Sequence, residues 1–400
     1  MASYPTTRIA YYDFQLNNAI GEHLGGTGIC LTTLVKFLKA QQDRVMIRFI
    51  PCEPSHLTYR NRWQKLKAFL AKQLLDIRDL LTPNEDVLLF YYPKIPLLGR
   101  SNDPKVLFFA ALGYGLLAIK KKVTGQRVAV LILDLPVEMG MIESTQSASD
   151  MVRFYDLKNL PWPKRLVSYV ERLIFKMADT IISPSKTETD HIVQKHALPA
   201  TKIILERRHS YMPTYDKSPR ALQLEGDEGL RIFYSGNLGL PIAVDNLKKM
   251  IQVFKKFPAS HFYLCGKNGE WINGEMEASK QKNIHYLGVL DYTTHDAVAR
   301  QCDVGLLLYD HCYYDLAAPA KYSAYVANGL AVLSTDRVTL SNFVQEDQVG
   351  LALPLAELPA QLEQWLRFPQ QVTPYQVQAQ KLSQNFTQGT YMQEWFDKII

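Results

Sequence analysis

The sequence predicts an α/β protein made of two doubly wound parallel sheets in succession. Three observations carry this expectation. Short apolar strands alternate with stretches of helical periodicity, the alternation restarts after Gly229, and 400 residues at about 150 per domain suit two or three domains. With 47% apolar and 21% charged residues, and ordinary Gly and Pro content, the composition is that of a globular chain with a large core and excludes collagen-like and disordered classes.

In the first half the expected strands are RIAYYDF from Arg8, RVMIRFI from Arg44, DVLLFYYP from Asp86, VAVLILDLP from Val128 and DTIISPS from Asp179. Helices are expected over Gly28 to Ala40, Arg60 to Leu81 and Trp162 to Met177, each long enough for a crossover between parallel strands. The second half repeats the pattern with RIFYSGN from Arg231, HFYLCGK from His261, NIHYLG from Asn283, VGLLLYD from Val304 and LAVLSTD from Leu330, and it closes with one or two Gln-rich helices over 373–400. A linker at Pro213 to Glu228 divides a first domain, 1–218, from a second, 219–400.

Five cysteines without a CxxC pair argue against a disulfide framework or zinc ribbon, so a reducing cytoplasm is expected. No N-terminal targeting signal is visible, and the longest uncharged apolar run, Val106 to Ile119, has 14 residues, short of the roughly 20 that cross a bilayer. The net charge of +6 is uneven: residues 1–218 carry 30 Lys/Arg and 20 Asp/Glu, for +10, and residues 219–400 carry 15 and 19, for −4. Such a field attracts polyanions. Arg60 to Leu81 reads as a basic amphipathic helix with Trp63, Leu66, Leu70, Leu74, Ile77 and Leu81 on one face, and Lys120, Lys121 and Lys122 directly follow the apolar run. Contact with the inner face of a membrane is one reading; burial of both apolar faces in the core is the other. Nucleic acid is not expected, because no binding module accompanies the charge.

Ligands of doubly wound sheets bind beyond the carboxyl ends of the strands, so candidate residues are sought there. Gly25, Gly26, Thr27 and Gly28 stand before the first helix, where backbone N–H groups approach an anion or sugar, although the spacing is not a dinucleotide fingerprint. The strand LILD ends at Asp134, with Glu138 beyond it; a carboxylate there acts as base towards an acceptor hydroxyl, holds that hydroxyl, or caps the next turn. Arg207 and Arg208, near the linker, offer forked donors to a pyrophosphate. Ser235, Gly236, Asn237 and Gly239 form a glycine-flanked loop after the first strand of the second half, and Gly266 with Lys267 repeats the arrangement after the next. In the stretch from Asp315 to Leu333, Pro319 suits a first helical turn, Tyr325 lies one turn after Lys321, and Gly329 ends the helix. Lys321 near a helix N-terminus opposes the helix dipole, and a bound anion resolves that conflict.

These motifs resemble the GT-B glycosyltransferases. The block Pro319, Lys321, Tyr325, Ala327 and Gly329 before a buried strand is similar to the donor-binding helix of that superfamily, YSGNLG at 234–239 to the first donor-domain loop, and ERLIFKMADTIISPSK at 171–186 to a late helix and strand of the N-terminal domain. The GNLG loop is closest to the bacterial branch of adhesin glucosyltransferases and galactofuranosyltransferases, where an Asp stands in the place of Asp134. Two departures stand out: Asn237 occupies the usual Arg position, and the Glu-x7-Glu pair is missing, with Ala324 in place of the second Glu and Asp315 one residue from the first.

The resemblance implies two Rossmann-like domains facing a central cleft, the first binding acceptor and the second binding donor. It implies transfer of a hexose from a nucleotide-sugar donor, UDP-linked in the first instance, to a glycan, lipid-linked or protein-linked acceptor in cell-surface polysaccharide or glycoconjugate synthesis. Asp134 takes the catalytic place; Arg207, Arg208, Ser235, Gly236, Asn237, Gly239, Gly266, Lys267, Asp315, Pro319, Lys321 and Tyr325 take the donor side; Gly25, Gly26, Thr27, Gly28 and Glu138 take the acceptor side. No cofactor and no metal are expected, since cationic groups and helix N-termini stabilise the leaving diphosphate and no DxD ends an apolar strand. The implied setting is cytoplasmic, at the inner face of the plasma membrane. The missing Glu pair keeps open a non-catalytic GT-B subunit that binds sugar nucleotide or glycan beside a partner enzyme, and a sugar-nucleotide epimerase shares the architecture.

Overall fold

The computed structural model describes residues 7–13, 26–51, 70–71, 74–75, 77–78, 80–92, 104–132, 135, 162–206, 211, 223–224, 228–239 and 241–400. Two compact units emerge from the contacts along the chain. One holds Met1–Ile20, Leu34–Arg207 and Met392–Ile400, and the other holds Gly21–Thr33 and Arg208–Tyr391.

The first unit is built on a parallel sheet of β1 (Arg8–Asp13), β2 (Met46–Pro51), β3 (Val87–Tyr92), β4 (Arg127–Ile132), β5 (Thr180–Ser183) and β6 (Ile203–Leu205) in the order β2-β1-β3-β4-β5-β6. All five expected strands are present, and β6 completes the edge. The chain moves outward from β1 in both directions, so the order reverses between β1 and β3, and doubly wound sheets open a crevice at such a reversal. The crossovers include α1 (Gly26–Ala40), α2 (Pro104–Thr124), α3 (Trp162–Met177) and α4 (Lys186–His196). Alternate residues of the strands, Leu88 and Phe90, Val128 and Val130, enter one core cluster with Ile77, Leu80, Tyr114, Leu117, Val170 and Ile174, so α2, α3 and the helical residues near 77–80 cover the same face of the sheet.

The described residues between 70 and 81 are helical, as the periodicity predicts, but the buried face differs from the expected one. Ile77 and Leu80 enter the core, whereas Leu70 and Leu74 of the expected stripe are exposed. At about 100° per residue, a helix that buries Ile77 and Leu80 against the sheet turns Leu74 away from it. Within the same layer, Glu171 of α3 is fully buried and meets Lys195 Nζ at 2.7 Å and His196 Nε2 at 2.6 Å. Burial opposes ionisation of this carboxyl, and the Lys195 ammonium with His196 overrides it and holds Glu171 below the usual carboxylate range.

The second unit repeats the plan with β7 (Arg231–Asn237), β8 (His261–Lys267), β9 (Ile284–Tyr286), β10 (Val304–Leu307), β11 (Ala331–Thr335) and β12 (Gly350–Leu353), in the order β12-β11-β10-β7-β8-β9. Its helices are α5 (Pro241–Phe254), α6 (Trp271–Ser279), α7 (Tyr292–Ala299), α8 (Ala320–Ala327), α9 (Val338–Asp347), α10 (Leu358–Arg367) and α11 (Thr373–Thr387). Two cores sandwich this sheet: Phe233, Tyr263, Leu307 and Val332 face one, and Ile232, Phe262, Leu306 and Leu333 the other. Burial on both faces explains the near-continuous apolar strands of the sequence.

The closing segment forms two helices, α11 and α12 (Thr390–Ile399). From Met392 onward α12 belongs to the first unit. Phe396 packs edge-on against Phe37 at 5.4 Å between ring centres, Trp395 donates its indole N–H to the Glu206 carboxylate at 3.2 Å, and Arg44 meets Asp397 at 3.0 Å. Trp395 and Phe396 are fully buried, so the end of the chain is part of the first unit's core. Trp395→Ala is expected to cost about 3–5 kcal/mol of first-unit stability, read as an earlier denaturant transition reported by that unit, with nucleotide binding intact at low denaturant.

Candidate functional site

The second sheet reverses its order between β7 and β10, and the residues that follow the carboxyl ends of β7, β8 and β10 converge there. β7 and β8 run in register to their ends, Gly236 opposite Gly266 and Asn237 opposite Lys267. The two glycines are required by closeness: a Cβ on Gly266 would strike the Gly236 carbonyl, and a Cβ on Gly236 would meet the Lys321 ammonium. Asn237 accepts from the Gly239 N–H at 3.1 Å and from Asn268 Nδ2 at 3.0 Å, so its amide shapes the loop. Gly239 in turn has no room for a side chain beside Asn268. Lys267 is exposed at the end of β8.

Helix α8 is drawn onto the sheet by Tyr325. Its ring fills the place where a side chain on Gly305 of β10 would stand, packs edge-on against Phe233 at 5.8 Å, and its hydroxyl accepts from the Ser235 N–H at 3.0 Å. Burial pushes the Tyr325 hydroxyl far above the usual phenol range, which makes it a fixed anchor rather than a proton carrier. Pro319, expected inside the first turn, is instead the N-cap, in an extended conformation (φ −68°, ψ 125°). No side chain caps α8 and no acid lies in its first turn; the Tyr322 N–H bonds to Pro319 O at 3.0 Å, which leaves the N–H groups of Ala320 and Lys321 for a ligand. At the other end Gly329, at φ +81°, closes the helix, and Asn328 donates to Ala324 O at 2.9 Å and to the Asp296 carboxylate at 3.0 Å.

Lys321 sits at the second position of this helix. Its ammonium lies 5.2 Å from the ring centre of Tyr234 and 5.4 Å from that of Tyr309. The two aromatic faces give cation–π support, but burial pushes the Lys321 pKa down to about 8, and among the described residues only the weak influence of Cys265 opposes that shift. Cys265 is itself pushed up to about 12 by burial, so it is a neutral thiol near neutral pH, and no anion among the described residues balances the lysine. A depressed lysine beside an uncapped helix start, admitted to the end of β7 by Gly236, is an arrangement suited to an anion.

The other expected donor residues divide. Asp315 accepts from the Val338 N–H at 3.1 Å and faces Arg337 at 3.7 Å, so its carboxylate is engaged at the start of α9. Gly26, Thr27 and Gly28 form the first turn of α1, which starts two residues before the expected Gly28, and they group with the second unit. Gly25, Asp134, Glu138, Arg207 and Arg208 lie outside the described residues. The sequence reading missed Tyr309, Gly305 and the role of the Tyr234 ring. An aromatic residue at or just after the end of β7 and of β10 was the available signal, but only the fold brings the two rings together.

Lys321→Met is expected to stabilise the ligand-free protein by about 1–2 kcal/mol, because it exchanges an unbalanced buried cation for an apolar chain of similar length. A lysine pKa depressed from 10.5 to about 8 costs folding energy that is fully present below pH 8 and vanishes as the pH rises through 10.5. The advantage of the methionine should therefore be full at pH 7 and shrink towards pH 10.5, as read from denaturation midpoints at the two values.

No protein-family model matches the chain, and no curated protein matches its sequence. Solved structures do match its fold. A sucrose-phosphate synthase from Thermosynechococcus elongatus superposes with a TM-score of 0.63 at 14% identity, over 98% of each chain. WaaG, a glycosyltransferase involved in lipopolysaccharide biosynthesis, follows at 0.56 and 11%, over 96% of this chain and 98% of its own. A UDP-N-acetylglucosamine 2-epimerase from Listeria monocytogenes matches at 0.56 and 11%, over 93% and 91%. With its two parallel six-stranded sheets and flanking helices, the chain has the GT-B fold.

Proposed function

We propose that the protein is a hexosyltransferase that takes its sugar from a nucleotide diphosphate donor, UDP-linked, and gives it to a glycan, lipid-linked or protein-linked acceptor in cell-surface polysaccharide or glycoconjugate synthesis. The observation that carries this reading is Lys321: a depressed, unbalanced ammonium beside the uncapped start of α8, at the order reversal of the second sheet. When the anomeric C–O bond to the diphosphate breaks, negative charge grows on the leaving oxygen. An ammonium and the first two N–H groups of α8 stabilise that charge without a metal ion. The acceptor oxygen forms the new bond and gives up its proton, a task for which Asp134 is the candidate base.

Gly266 lets β7 and β8 approach closely and Gly236 admits the Lys321 ammonium to the strand end, where Ser235, Asn237, Gly239 and Lys267 are candidates to border the diphosphate. Pro319 and Tyr325 position the helix, and Asp315 fixes the segment that leads into it. Arg207 and Arg208 are candidates for further diphosphate contacts, and Gly25, Gly26, Thr27, Gly28 and Glu138 for the acceptor. The GNLG loop supports a hexose donor of the kind used by adhesin glucosyltransferases and galactofuranosyltransferases. A second reading, sugar-nucleotide epimerisation, is favoured by the likeness to the Listeria epimerase. Acceptor dependence separates the two, since an epimerase interconverts its nucleotide sugar with no acceptor present.

Calorimetric titration of UDP, GDP, ADP, dTDP and CMP in the presence of EDTA tests the donor site. UDP is expected to bind, and Lys321→Ala is expected to weaken it by about 1.5–3 kcal/mol, roughly ten- to a hundredfold. If none of the nucleotides binds, the donor site and the transferase reading both fall, and the reading of a non-catalytic subunit gains.

The pH dependence of UDP binding has a defined sign. Anion binding needs Lys321 protonated, and its free pKa is about 8. Affinity should hold between pH 7 and 8 and then fall by up to about tenfold per pH unit, with roughly half a proton taken up per UDP bound at pH 8. Titrations in buffers of different ionisation enthalpy measure that uptake, and Lys321→Met should abolish it.

A further inference from the structure

The helical layer on the first unit's sheet has a second apolar face that the core does not use. On α2, Ala110, Tyr114 and Leu117 point inward into the core cluster. Phe108, Leu112, Leu116, Ile119 and Val123 point outward, and Phe108, Ile119 and Val123 are 63%, 62% and 81% exposed. Their spacing of four, four, three and four residues draws one straight stripe about 22 Å long at 1.5 Å per residue. Helix α2 therefore does not merely bury its apolar face, as one reading of its sequence expected. The neighbouring α3 continues the surface with Tyr169, 66% exposed.

The exposed charge that α2 and α3 themselves carry at their described positions is positive, and the nearby acid Asp179, just beyond α3, is paired with Lys121. Lys122 at the end of α2 and Arg165 and Lys176 on α3 are exposed, α2 contains no Asp or Glu, and the single acid of α3, Glu171, is buried against Lys195. Exposed apolar patches of this extent mark interaction surfaces, and a basic border selects a negatively charged occupant. A second copy of the chain fits poorly, because a two-fold contact would set these cations against their own copies. A spanning helix is excluded by its shape: none of the described helices is long and apolar enough to cross a membrane, and in α2 three lysines follow the apolar run.

We propose that the outward faces of α2 and α3 form a docking surface for an anionic lipid bilayer, with α2 lying in the interface plane, its stripe among the acyl chains and Lys122, Arg165 and Lys176 at the headgroups. This goes beyond the proposed reaction and does not depend on it, because the surface lies on the first unit while the nucleotide test reads Lys321 on the second.

Flotation without any sugar nucleotide tests the proposal. At low salt the protein should float with vesicles of phosphatidylcholine and phosphatidylglycerol and stay behind with phosphatidylcholine alone, and added salt should reduce flotation. The variant F108E/I119E/V123E, altered only at highly exposed positions, should lose about tenfold or more of the floating fraction while keeping its circular dichroism and its UDP affinity. A second variant, K122E/K176E, removes only charge and should also weaken flotation. The proposal is overturned if the wild type stays behind with the anionic vesicles, or if the triple variant floats as well as the wild type. It is equally overturned if sedimentation without vesicles reveals a dimer that the triple variant splits, which would make the face a contact between copies.

Discussion

The candidate donor site depends on the close approach of one short helix to its sheet. Tyr325 stands where Gly305 has no side chain, and its hydroxyl takes the Ser235 N–H, so α8 is tied at once to β10 and to the end of β7. Both contacts are buried, where a lost hydrogen bond leaves a polar group without water. Everything that makes the site cationic follows from that anchoring. It brings Lys321 over the rings of Tyr234 and Tyr309 and directs the uncapped start of the helix to the place where the strand order reverses.

This arrangement trades stability for binding. A lysine without a carboxylate partner among the described residues, beside a helix start that already carries partial positive charge, is unfavourable in the empty protein. The two tyrosine faces offset part of that cost, and their own hydroxyls are pushed up by burial, so they add no competing anion. A protein that needed only to fold would place an acid or an apolar residue at position 321. Keeping a poised cation there is consistent with a site whose stability is completed by an anionic ligand.

The two units differ in what they expose. The second buries its sheet on both faces, and Gly266, Gly305 and Gly350 allow close approaches of backbone or ring to its strands. The first carries the positive excess of the sequence, takes the last helix into its core, and presents an outward apolar stripe along α2. The first unit is thus basic and partly apolar at its surface, whereas the second holds a half-buried lysine at its sheet's order reversal.

By itself the sequence determined the fold class, the strands and the candidate lysine. Parallel strands buried on both faces leave continuous apolar runs that are legible one at a time, and a lysine in a first helical turn conflicts with the dipole whatever surrounds it. Only the tertiary structure decided what the side chains meet. The sequence does not say that Pro319 would cap the helix rather than enter it, that Leu70 and Leu74 would face outward, or that Tyr309 would join Tyr234 around Lys321. Those outcomes depend on the rotation of a helix about its axis and on which strand ends are neighbours, and residues 75 positions apart become adjacent only when β7 and β10 pair. Local pattern fixes periodicity, whereas phase and neighbourhood are set by packing across the sheet.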